Sequence, residues 1–107
     1  MSDAFQCLKE TYFTLDVNFN DLFAACQTDD EKNMLRTDYV AARNNFLTAQ
    51  NKILSDDEPM VKDLVAQIQA AQSQINNELQ NLQDVASLLK VITVAVNIGS
   101  KLTSLTA

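Results

Sequence analysis

The sequence predicts an all-α protein: an antiparallel up-down-up three-helix bundle with coiled-coil-like heptad seams and a long third helix. Three observations predict it. Apolar residues recur at alternating steps of three and four along three long runs. The 107 residues include one Gly and one Pro, too few for the turns of a sandwich, a barrel or an alternating βα fold. The two breaks between the runs carry helix-capping residues.

The first helix is expected over about residues 3–27. Its seam is Phe5, Leu8, Tyr12, Leu15, Phe19, Leu22 and Cys26, with no polar member. It stops at Gln27-Thr28-Asp29-Asp30-Glu31. There Thr28 and Glu31 have the spacing of a capping box, and the acids suit the positive end of the next helix dipole. The second helix is expected over about 29–55, with the seam Leu35, Tyr39, Ala42, Phe46, Ala49 and Ile53. Its alanines allow close approach of a neighbour. The next break is Ser55-Asp56-Asp57-Glu58-Pro59, in which Asp56 or Asp57 can cap and Pro59 falls in the first turn, where its missing N–H costs nothing.

The third run is Val61, Val65, Ile68, Gln72, Ile75, Leu79, Leu82, Ala86, Leu89, Thr93 and Val96. No Gly or Pro interrupts it before Gly99, which stands where a helix-terminating C′ residue would be. The expectation is one helix over about 58–98 and a flexible tail over 99–107. All three helices belong to a single domain, and short loops make consecutive helices antiparallel neighbours. The third helix then exceeds the second by 14 residues (41 against 27). Its overhang, residues 85–98, is apolar nearly all round and carries one charge, Lys90. A helix exposed to water should have a polar face. The overhang therefore reads as a contact surface made of Leu88, Leu89, Val91, Ile92, Val96 and Ile98, with Gln72 on the seam setting register or oligomeric state. The alternative for this segment is a break near Asn81 or Asp84 and a fold-back as a fourth helix.

Charge divides the chain. Residues 1–58 hold eleven acids and five bases, whereas residues 59–107 hold three of each and no acid after Asp84. The net charge of −6 disfavours nucleic acid, whose phosphates call for clustered Lys and Arg. Residues 67–83 contain nine Asn and Gln side chains, an uncharged polar face suited either to solvent or to hydrogen bonding across helices. The seven aromatics all lie in the first two helices and are expected in the core.

Enzyme chemistry finds little support. Without His, the commonest general base and metal ligand is missing, and neither a Ser-His-Asp arrangement nor a Glu-x-x-His di-iron motif can be built. One Gly cannot form a phosphate-cradling loop. No catalytic residue, metal site or cofactor is expected. Cys7 and Cys26, ~28 Å apart along one helix, read as buried reduced thiols. The start shows no Sec-type signal, so the expectation is a cytoplasmic protein or one exported by another route. The function expected is non-enzymatic: self-association, or docking of another helical protein, through the third helix. A second expectation is a membrane-active or secretion-associated helical protein that uses the apolar, acid-free segment 85–107 at a lipid surface.

Overall fold

Thr28 and Pro59 act where the sequence places them. In the computed structural model, which describes residues 3–51, 57–80, 82 and 84–105, four helices follow one another: α1 (Asp3–Ala25), α2 (Asp29–Gln50), α3 (Pro59–Leu79) and α4 (Val85–Ser104). No strand occurs among the described residues. The Thr28 hydroxyl accepts from the Glu31 amide at 3.1 Å, and the Glu31 carboxylate reaches back to the Gln27 amide at 2.7 Å. This reciprocal cap satisfies donors that the first turn of α2 would otherwise leave bare. Pro59 begins α3 at a position that spends no hydrogen bond. The cap position itself is Glu58, whose side chain makes no capping bond, so Asp57 does not cap α3. Asp56 and Ile53 lie outside the described residues.

The long third helix does not form. The chain leaves the helix after Leu79, and the helix restarts at Val85 with the Asp84 carboxylate capping the Ser87 amide at 3.1 Å. The overhang folds back as a fourth helix. The bundle is therefore four-helical, and the three-helix arrangement is corrected. The energetic reason is burial. A continuous helix would leave Val85, Leu88, Leu89 and Ile92 in water, whereas folding back buries all four. Each such side chain gains roughly 1.5–3 kcal/mol on burial. The interrupted turn loses a few backbone hydrogen bonds worth about 1 kcal/mol each, partly replaced by the Asp84 cap. The principal extents of 41 × 21 × 19 Å agree: an unbroken helix from 59 to 104 would need ~68 Å.

The expected tail is also corrected. Residues 99–104 continue α4, and Gly99 sits inside the helix with a negative φ. Its use is spatial. A Cβ there would lie 2.9 Å from Leu8 Cδ2 and 3.0 Å from Asn45 Nδ2, so the bare Cα lets α4 approach α1 and α2 together.

Topology follows from the contacts. The helices run up, down, up and down. Around the bundle the order is α1, α2, α4, α3, because α2 and α3 do not touch and face each other across a diagonal. The neighbours α1·α3 and α2·α4 run parallel, while α1·α2 and α3·α4 run antiparallel. The core forms two apolar clusters. One end packs Leu15, Leu22, Leu35, Ile75, Leu89 and Ile92, and the other packs Leu8, Val61, Val65, Ile68, Ile98 and Leu102. Cys7 and Cys26 are buried, one in each cluster. Burial pushes the Cys26 thiol up, and the nearby Glu31 carboxylate adds to this.

Candidate interaction surfaces

The residues that the sequence assigns to a partner are placed inside this chain. Leu88, Leu89, Ile92 and Val96 are buried in one cluster, Leu89 with 0% of its surface exposed, Val91 packs partly buried against that cluster, and Ile98 is buried in the other. Their apolar character is consumed by the fold-back. Gln72 is 5% exposed. Its amide donates to Thr14 Oγ1 at 3.0 Å and to Asn76 Oδ1 at 3.1 Å, and its oxygen faces the Thr11 hydroxyl at 3.4 Å. All of these partners belong to its own chain, Thr11 and Thr14 on α1 and Asn76 on α3. The other described amides of the 67–80 stretch (Gln67, Gln69, Gln74, Asn76, Asn77 and Gln80) face solvent.

A matching set of polar groups joins the other parallel pair. Asn45 donates to the Val96 carbonyl and to Ser100 Oγ, both at 3.3 Å. One level away, Thr93 donates to the Asp38 carboxylate at 2.6 Å. Thus the two parallel contacts are pinned by side-chain hydrogen bonds, α3·α4 is aliphatic and α1·α2 is aromatic. Both polar groups lie where the two apolar clusters meet: Asn45 and Ser100 form a polar waist at the level of Gly99, and Gln72 sits beside Thr11 and Thr14. A polar pin has one satisfied register, whereas aliphatic surfaces slide at low cost.

Asp38 is the buried acid of this set, with 5% of its surface exposed. Burial pushes its carboxyl pKa up, and the Thr93 hydroxyl opposes this in part. A folded-state pKa above the unfolded one means that the fold prefers the proton. The contribution to stability is complete at low pH and declines as pH rises through the folded value. Asp38→Asn keeps the shape and removes the charge. It is expected to raise Tm by a few degrees at pH 8. Its advantage over the parent shrinks as pH falls and the parent's carboxyl takes up its proton. Thermal melts of both proteins at pH 4, 6 and 8 give this difference directly.

The surface with most chemistry is the seam between α1 and α2. Two rows at alternating steps of four and three face each other: Phe5, Lys9, Tyr12, Asp16, Phe19 and Phe23 on α1, and Lys32, Arg36, Tyr39, Arg43 and Phe46 on α2. All seven rings of the protein join in one ladder. Phe5 meets Phe46 at 5.6 Å, Phe46 meets Tyr12 and Phe13 at 5.5 Å, Tyr12 meets Tyr39 at 5.7 Å, Tyr39 meets Phe19 at 5.0 Å, and Phe19 meets Phe23 at 5.9 Å. Lys9 lies over Phe13, and Lys32 and Arg36 lie over Phe23, at 4.8–5.6 Å. The Tyr39 hydroxyl donates to Asp16 at 2.6 Å, and this carboxylate holds the phenol well above its usual range.

None of the seven rings is buried. Phe13 is 44% exposed, and beside the ladder stand Val40 at 53% and Leu47, one heptad apart on α2. The expectation of core aromatics holds in part: Phe5, Tyr12, Phe19, Phe23 and Tyr39 pack partly buried against the two clusters, and the seam they form is half exposed. The centres of α1 and α2 are instead Ala4, Leu8, Leu15 and Leu22, and Leu35, Ala42 and Ala49. The signal for this seam is present in the sequence as cations interleaved with aromatics at heptad spacing. It is hidden because each ring also fits an apolar stripe.

Among the described residues no group of three or more His, Cys, Asp or Glu side chains gathers as a metal site. No family model, curated protein sequence or solved structure matches this chain.

Proposed function

We propose that the protein is a non-enzymatic helical module that docks another helical protein, and that the half-exposed α1–α2 seam, rather than the third helix, is the docking surface. One observation carries this reading: every aromatic ring of the chain lies on one seam and none is buried, with Phe13, Val40 and Leu47 exposed beside it. Aromatic residues and Arg are the types enriched where proteins bind one another. The lack of His and of a Gly-rich loop in the sequence supports the non-enzymatic part.

The test is an NMR titration of the labelled protein with amphipathic helical peptides that share one apolar face and carry acidic, neutral or basic polar faces. Light scattering on the protein alone accompanies it. The proposal expects at least one peptide, or a second copy of the chain, to shift amides along α1 and α2, and Val40→Glu with Leu47→Glu to abolish the effect. A strict monomer at tens of micromolar that responds to none of the peptides overturns it.

A second reading rests on α4. This helix of 20 residues is apolar and long enough to cross a membrane by length and composition, carries Lys90 and Lys101 without an acid, and has half of its apolar window buried in the bundle. It would act by leaving the bundle at a lipid surface. Vesicle flotation separates this reading from the first: protein that floats with anionic vesicles and has α4 shielded from protease favours it, and protein that stays in solution with every vesicle removes it.

A further inference from the structure

Resting on that docking surface, we infer that its partner is an acid-rich amphipathic helix. The charge placement carries the inference. The chain has a net charge of −6, yet the two facing rows of the seam hold four cations, Lys9, Lys32, Arg36 and Arg43. These are four of the five bases that precede Pro59. Of the two acids in the rows, Asp16 is engaged by Tyr39, and Asp29, which continues the α2 row by a step of three, lies in the first turn of α2, where the helix dipole favours it. The other acids of α1, Asp3, Glu10 and Asp21, recur at steps of seven and eleven along a neighbouring stripe, and of these Glu10 borders the seam beside Lys9 and Phe13. The bundle is thus polarised: an acidic protein presents a basic, aromatic seam.

The shape selects a helix. A groove between two antiparallel helices accepts a third by interdigitation of side chains, and Val40 and Leu47 repeat at the heptad distance that such an occupant would read. Single-stranded nucleic acid also favours cations with aromatics, but it needs open ring faces for base stacking. Here the rings lean on one another at 5.0–5.9 Å and on the cations, so their faces are largely taken. The acidic remainder of the chain also repels phosphate. An acidic helix meets the cations at the rim and places its apolar face over Phe13, Val40 and Leu47. Rim charges of this kind select the partner more than they set raw affinity.

The experiment is fluorescence anisotropy on the full-length protein with three labelled helical peptides of about 20 residues, about 30 Å long. They share one Leu-rich face, and their polar positions are all Glu, all Gln or all Lys. A labelled oligothymidine is the fourth probe. The Glu peptide is expected to bind about tenfold tighter than the Gln peptide, as three or four rim pairs would give, and the Lys peptide more weakly still. Raising salt narrows the gap. In the protein carrying Arg36→Glu and Arg43→Glu, two exposed positions, the preference reverses towards the Lys peptide, which an unfolded variant could not produce. Equal binding of the Glu and Gln peptides overturns the charge rule and leaves the docking surface standing. No binding by any peptide removes both. Tighter binding of the oligothymidine than of the Glu peptide overturns the inference in favour of nucleic acid.

Discussion

Leu89→Ala is expected to cost the folded monomer about 3 kcal/mol, lowering Tm by at least about 12 °C. Leu89 has none of its surface exposed and packs with Leu88, Ile92 and Val96 in the larger apolar cluster. The lost transfer energy and the cavity left behind both contribute, and α4 cannot collapse onto the gap while the Asn45 and Thr93 hydrogen bonds hold its register. Chemical unfolding measured at two protein concentrations is the check. The loss should be the same at both, because Leu89 is covered by its own chain. A loss that depends on concentration would instead mean that Leu89 is covered by a second copy, as the apolar overhang suggests when the sequence is read as one long helix.

Gly99→Val is expected to be about as damaging, at about 3 kcal/mol. A Cβ at this position already lies 2.9 Å from Leu8 and 3.0 Å from Asn45. The γ-methyls of Val press further into the polar waist and displace Asn45 from the Val96 carbonyl and Ser100. Overpacking costs about 1–3 kcal/mol, and a buried amide left without partners adds about 1–3 kcal/mol. Gly99→Ala behaves differently: the gain of about 1 kcal/mol in helix propensity offsets the small shifts that the ends of the Leu8 and Asn45 side chains must make. Removing the obstructing amide with Asn45→Ala should recover part of the Val variant's loss, so the two substitutions combine with less than their summed cost. Strict additivity in urea melts would argue against direct contact at the waist.

How much of this was legible in the sequence depends on which property each residue expresses locally. The Thr28–Glu31 cap and the Pro59 start are written within a few residues and are found as read. The buried lines of α3 (Val61, Val65, Ile68, Gln72 and Ile75) follow directly from their spacing. The break after Leu79 is different. The heptad pattern runs across it without a fault, because a helix that folds back keeps the same apolar period when both halves line one core. The decision depends on whether a partner surface exists for Val85–Val96 elsewhere in the chain, which spacing cannot express. Gly99 misleads for a related reason. Its chemistry permits either a left-handed helix end or a close approach, and the need for space comes from Leu8 and Asn45, far away in sequence. On α1, Phe5, Tyr12 and Phe19 share a stripe with Leu8, Leu15 and Leu22, and a wide stripe does not say which edge is the centre. The rings lie at the outer edge, where their size is tolerated, and the leucines fill the middle.

The four-helix arrangement depends on α4 folding back between α2 and α3. A spin-label distance between Lys62→Cys and Lys101→Cys, in a Cys7→Ala, Cys26→Ala background, reads that fold directly. Both lysines are exposed, and their neighbours Val61 and Leu102 share one buried cluster. With helix axes about 8–10 Å apart, the labels should lie within about 30 Å of each other. A single continuous third helix would hold them ~58 Å apart, and a distribution centred there would contradict the four-helix account.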